Sequence, residues 1–182
     1  MTTIDEKYAA ELKQADIDHH TPTAGAMTGH ILANLQIQAF KLQQAKWYVK
    51  GINRPALVPV LSKLWHANLN LADRLGDVLL DEGEVAPSTS DEFKQYSMLT
   101  EAGQDKYRSA EALINITVHD ANTHNLFIDR AIKLAEKEER PALASFLIEL
   151  RGHNNHAIRE LQFYLGNDAR TGLDEEDDDD ED

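Results

Sequence analysis

The sequence predicts an all-α chain folded as a four-helix bundle, with one long crossover connection that contains a short helix. Three observations predict it. Apolar residues recur at spacings of three and four through four long blocks, which is the helical period. No segment shows the strict alternation expected of a half-buried strand. The connection from Glu84 to Gly103 is longer than the other links, and such a length permits a crossover along the bundle.

The elements follow in order. Residues 1–20 read as an N-terminal tail with a short helix over Tyr8 to Gln14. Thr21-Pro22-Thr23 marks a helix start, with proline near the first turn. Ile31, Leu32, Leu35, Ala39, Leu42 and Ala45 then form a core-facing stripe that ends at Lys50-Gly51. Pro55 opens the second long helix, with Leu57, Leu61, Leu64, Leu71, Leu75 and Val78 on one face as far as Gly83. In the connection, Ser90 is the expected cap of a short helix. The third block carries Leu113, Ile114, Val118, Ala121, Ile128, Ala131 and Leu134. The fourth opens at Arg140-Pro141, carries Leu143, Phe146, Leu147, Leu150, Ala157, Ile158, Leu161 and Leu165, and stops at Gly166-Asn167. The bundle is expected over 21–167 and a disordered acidic tail over 168–182.

Composition narrows the function. The 182 residues contain no cysteine, so disulfides, thiol nucleophiles and thiolate metal sites are excluded. The formal charge is -14, from 32 acidic and 18 basic side chains. Nine acids lie in the unbroken run Asp174–Asp182, a solubilising segment or one that attracts metal or a partner; 32 less nine leaves 23, a body charge of -5. That balance argues against DNA binding, because Lys7 and Lys13 stand among Asp5, Glu6, Glu11, Asp16 and Asp18. The opening residues show no basic segment followed by an apolar one, and no apolar run approaches the roughly 20 residues of a membrane span. The expectation is a cytoplasmic chain with no membrane partner.

Most catalytic motifs are missing: there is no Walker-type loop, no GxGxxG, no GxSxG and no HExxH. No glutamate is followed three residues later by histidine, which argues against a di-iron centre inside the bundle. The second long helix has a polar side: Ser62, His66, Leu69, Asp73 and Asp77 follow at four, three, four and four. Asp73 and Asp77, one turn apart, suit a hard cation such as iron, or form a solvated acidic face. Among the other histidines, His153 and His156 share a face within a polar interruption of the fourth helix, whereas His119 and His124 do not. Each is a zinc or iron ligand, or a packed or solvated side chain.

These residues also carry a resemblance. Ala45-Lys46-Trp47-Tyr48-Val49-Lys50-Gly51 resembles the His-Trp-Asn/Tyr-x-Lys/Arg-Gly segment of Dps-type mini-ferritins. Leu57-Val58-Pro59-Val60-Leu61-Ser62 is similar to their Leu-His-Pro-x-x-Asp. Asp73 and Asp77 take the place of their Asp-x-x-x-Glu pair, and Pro87 to Phe93 resembles the connection of the peroxide-resistance branch. The likeness runs from about Thr21 to Gly166 and implies a ferritin-like bundle assembled as a hollow dodecamer. It implies iron storage, iron homeostasis and protection from oxidative stress, with ferroxidase chemistry at a two-fold interface. One subunit there gives two histidines and an aspartate, the other an aspartate and a glutamate. In this chain those positions hold Lys46, Val58 and Ser62, then Asp73 and Asp77. Protonated lysine and valine have no lone pair for a metal. The resemblance therefore implies a degenerate site, in which Lys46 pairs with Asp73 or Asp77 across the axis or His66 is recruited to a relocated metal site. The family's acidic three-fold pore maps to Glu136, Glu138 and Glu139 as candidates.

Overall fold

In a computed structural model, residues 3–173 are described, apart from the His19 side chain. They form six α-helices and no strand: α1 (Ile4–His20), α2 (Ala24–Tyr48), α3 (Arg54–Asp81), α4 (Ser90–Tyr96), α5 (Ala110–Lys137) and α6 (Pro141–Tyr164), with a 3-10 turn at Gly103–Tyr107 between α4 and α5. The long helices α2, α3, α5 and α6 are the expected bundle. α2 packs most extensively on α3 and α5 on α6, while α3 and α6 meet sparsely. The link through α4 makes the crossover, and α4 lies on α2.

Caps explain the boundaries. Thr23 takes the Ala26 N–H and starts α2, so Pro22 stands just outside the helix. Pro55 and Pro141 sit in the first turns of α3 and α6, where a missing N–H costs nothing. Gly166, at φ 79°, ends α6, and the Asn167 N–H returns to the Gln162 carbonyl at 2.9 Å. Two expectations need correction. α4 is capped by Thr89, in a reciprocal box with Glu92, and Ser90 is its first residue. The N-terminal helix spans 17 residues, because Thr3 and Glu6 form another such box that starts five residues before Tyr8. α1 touches the body sparsely and leaves Ile4, Tyr8, Leu12 and Ile17 exposed. The segment 168–173 is turn structure tied down by Gln162, whose Nε2 donates to the Thr171 carbonyl at 2.8 Å. The acidic run Asp174–Asp182 lies outside the described residues.

The core divides in two. One apolar cluster joins Ile31, Leu35, Leu75, Leu79, Ile128, Leu143, Leu147 and Leu150. The other joins Leu42, Leu57, Leu61, Ile114, Val118, Ile158 and Leu161. Between their levels along the helices, all four contribute buried polar side chains: Gln38, Asn68, His124, Asn125 and Asn154. Asn68 donates to Gln38 across α2 and α3 at 2.9 Å, and Asn154 donates to Asn125 across α5 and α6 at 3.1 Å. Satisfied buried amides fix helix register, because a slip would leave them unpaired at 1–3 kcal/mol each, roughly. Asn154, within the polar interruption of the fourth helix, is therefore a core residue. A further tie between α2 and α5 is Lys41 with Asp120 at 2.7 Å, where burial raises the carboxyl's pKa although the ammonium opposes it.

The start of α2 is held by distant residues. Its Ala24 N–H donates to Glu138 Oε1 at 2.8 Å, and the Glu84 carboxyl group lies against Gly25. A methyl group at Gly25 would overlap that carboxyl, so Gly25→Ala must displace the Glu84 carboxyl group that also pairs with Arg140. The expected loss is about 1–2 kcal/mol by denaturant unfolding. A Gly25→Ala protein as stable as the parent, or more so, would show that glycine is not required for this approach.

Candidate functional site

Of the residues singled out on α2 and α3, Lys46 and His66 both meet Trp65, whereas Asp73 and Asp77 lie farther along α3. Lys46 lies in the last turn of α2, where its charge suits the helix dipole. The turn that follows is stapled by Arg54, whose Nη1 donates to the Val49 carbonyl at 2.5 Å. This brings α3 back beside α2, and the Lys46 ammonium sits 4.1 Å from the centroid of the Trp65 ring. A cation over an indole face is stabilised by roughly 0.5–2 kcal/mol, depending on exposure. Trp65 in turn meets the edge of His66, with centroids 4.6 Å apart. His66 Nδ1 lies 2.7 Å from the Ser62 carbonyl and must donate to it, which leaves Nε2 as the lone-pair nitrogen of the neutral ring.

Asp73 and Asp77 are exposed, and neither has an ion pair or hydrogen bond among the described residues. The axial separation decides what one chain can assemble. Ser62 and Asp73 are eleven residues apart on α3, or about 16 Å along the helix, and His66 and Asp73 about 10 Å. One ion cannot bridge either pair within a subunit. Accordingly, no three His, Asp or Glu side chains gather around a metal position among the described residues. The donor set of Lys46, Val58 and Ser62 does not fit a metal either: a hydroxyl is its sole donor. Trp47 is 61% exposed and Ile52 94%, so apolar surface lies uncovered beside this face.

The candidate pore residues have separate fates. Glu136 and Glu139 are exposed, with Glu139 in the left-handed region at φ 58° in the α5–α6 turn. Glu138 is engaged, capping α2 through Ala24 and pairing with Arg140 Nε at 3.3 Å. Sequence reasoning missed Trp65, Glu84 and Arg140. Trp65 had a usable signal, since it falls beside the polar side of α3. The two others act through partners more than 50 residues away. Of the paired histidines, His124 is fully buried in the mid-bundle layer and His119 is exposed.

This fold and this hairpin have relatives. A ferritin-like domain model matches residues 28–171. The DpsB protein of Lactococcus lactis MG1363 superposes with a TM-score of 0.86 at 45% identity, covering 91% of this chain and 95% of that one. The chain belongs to the ferritin-like family, in its Dps branch. The DpsA protein of the same organism superposes equally well, with a TM-score of 0.86 at 38% identity over 93% of this chain and 99% of that one. A curated relative from Listeria innocua, the DNA protection during starvation protein, is 25% identical over 137 residues, 75% of this chain and 88% of its own. The Dps-type fold accounts for the long link through α4. No helix among the described residues is long and apolar enough to cross a membrane.

Proposed function

We propose that this Dps-type chain builds a closed dodecameric shell that handles iron as cargo and protects against oxidative damage. In this reading the conventional ferroxidase site is lost, and the Lys46 ammonium neutralises Asp73 or Asp77 of a second copy where a metal would otherwise sit. The observation that carries it is the Lys46–Trp65 stack. It holds a cation at the sequence position that resembles the family's first histidine ligand. In this reading a two-fold axis sets α3 antiparallel to its copy. It would bring one chain's Ser62 level beside the other's Asp73, which no single chain can do. Packing two carboxylates at such an interface without a cation is costly, and a lysine removes that cost.

Lys46→Ala is therefore expected to weaken the interface by roughly 2 kcal/mol per ion pair. Size-exclusion chromatography with light scattering should show the wild type as a dodecamer and the variant dissociating at lower denaturant. A wild type that elutes as a monomer or dimer would remove the shell. An unchanged variant would remove the lysine's role. His66, with a lone pair on Nε2, motivates a second reading in which a relocated metal binds at this interface. Anomalous scattering from zinc- or iron-soaked crystals separates the two.

A further inference from the structure

The end of the bundle that carries the α2–α3 turn gathers cations around the last residues of α2. Lys106, in the 3-10 turn, places its ammonium 5.9 Å from the centroid of the Tyr48 ring and 5.5 Å from that of Tyr107. Arg54 Nη1 donates to the Trp47 and Val49 carbonyls at 3.4 and 2.5 Å. Lys50 follows Val49 directly and is exposed. Among the described residues, none of Lys50, Arg54 and Lys106 forms an ion pair, although Glu101 and Glu111 are near in sequence. Asp105, the buried acid of the 3-10 turn, is engaged with Arg108 at 2.6 Å. Trp47, Tyr48, Ile52 and Tyr107 leave apolar surface exposed among these charges.

The chain returns to this same place before its acidic run begins. Leu173 packs on the apolar cluster that holds Val49, Leu57 and Ala110. It therefore sits at the end of the bundle where α2 stops and where α3 and α5 start. Directly after it comes Asp174–Asp182, nine acids without a break. Nine residues span at most about 30 Å, whereas the 28 residues of α5 run about 42 Å to the opposite end of the bundle. The run can thus reach the cations at its own end and cannot reach Lys137 at the far end of α5.

We propose that Asp174–Asp182 binds across the basic, aromatic patch of its own chain, against Lys50, Arg54 and Lys106, and so covers that patch from other polyanions. Neighbouring carboxylates repel one another, and three cations without an acid partner relieve that repulsion. Each contact is weak at an exposed surface, but attachment at Leu173 keeps the run at a high effective concentration beside the patch. The run therefore does more than add solubility: it neutralises a surface that would otherwise attract phosphate or sulfate groups. Lys46 takes no part, since its ammonium sits on Trp65. The inference depends neither on the Lys46 pairing nor on the shell.

Carbodiimide cross-linking of the full chain, mapped by mass spectrometry, tests it. Acids of the run should join Lys50 and Lys106 in product that migrates as a single chain on denaturing gels. Raising NaCl to about 1 M should suppress these links, because it shortens the screening length to about 3 Å. Lys63 is the control, since it is exposed and only nine residues past Arg54, about 13 Å along α3 and within the run's reach. The proposal is overturned if neither lysine is linked, if Lys63 is linked as often, or if the links occur solely between chains. A second arm replaces the nine acids by Asn and Gln in the full-length chain and measures retention on immobilised heparin, a generic polyanion. Circular dichroism confirms that each variant folds. Neutralising the run should delay elution to higher salt, and Lys50→Ser/Lys106→Ser in that background should reverse most of the shift. Equal reversal by Lys63→Ser/Lys133→Ser would mean that net charge alone sets retention, and would overturn the proposal.

Discussion

Arg140→Ala is expected to destabilise the subunit by about 2–3 kcal/mol, with a clear fall in the denaturant midpoint. Arg140 lies between three carboxylates, with Nη1 2.5 Å from Glu84 and 3.9 Å from Glu82, and Nε 3.3 Å from Glu138. Those residues come from the start of the crossover, the end of α3 and the α5–α6 turn, and Glu138 also caps α2. One guanidinium thus joins the ends of all four long helices. Its removal leaves three half-buried negative charges facing one another, relieved in part by the positive end of α2. The site is about a quarter exposed, which places the cost below that of a fully buried pair. Arg140→Lys should recover part of the loss, since an ammonium keeps the charge but cannot span three partners in a plane. An alanine variant within about 0.5 kcal/mol of the parent would show the cluster to be an ordinary surface network.

The second large effect is a pH dependence set by His124. Its ring is 0% exposed, and burial pushes its pKa down to about 4, with the Ile31 carbonyl opposing. Nδ1 faces the Asn154 amide nitrogen at 3.5 Å, so protonation there would set two donors against each other, and the Ile31 carbonyl offsets only part of the cost of a buried cation. The folded pKa is lower than the unfolded one. The neutral ring's contribution is therefore complete above about pH 6.5, falls away as pH drops toward 4, and is gone below that. The gap corresponds to about 3 kcal/mol, at about 1.4 kcal/mol for each factor of ten in proton affinity. Stability measured from pH 7 to pH 4 should fall about that much further in the wild type than in His124→Gln, which cannot take up a proton. Parallel profiles for the two proteins would contradict the assignment, whatever the carboxylates contribute to both.

Much of the fold was legible because its signals are local. Pro55, Pro141, Gly83 and Gly166 punctuate the chain close to the real helix ends, and the spacing of Leu57, Leu61, Leu71 and Leu75 identifies the core face. The extent of α1 was legible too, in the Thr3–Glu6 box, but the weak apolar pattern after it drew attention to Tyr8–Gln14 alone. Long-range contacts were not. Asn154 looks like part of a surface break because its neighbours His153 and Asn155 are polar. Only the register of four helices shows that it faces Asn125 in the core. Glu138 reads as a solvated acid until the Ala24 N–H, 114 residues away, is placed beside it. For the site, the replacements at Lys46, Val58 and Ser62 are written in the sequence, while the stack of Lys46 on Trp65 needs the α2–α3 turn to close first.

In the proposed function, a Dps-type shell has exchanged its catalytic metal for a lysine. Stopped-flow absorbance after aerobic addition of two Fe(II) per subunit tests it most directly. The wild type should oxidise iron no faster than protein-free buffer, whereas Lys46→His/Val58→His/Ser62→Asp should accelerate it by roughly tenfold or more. A wild type that oxidises iron faster than buffer, and loses that rate in Asp73→Asn, would contradict the claim.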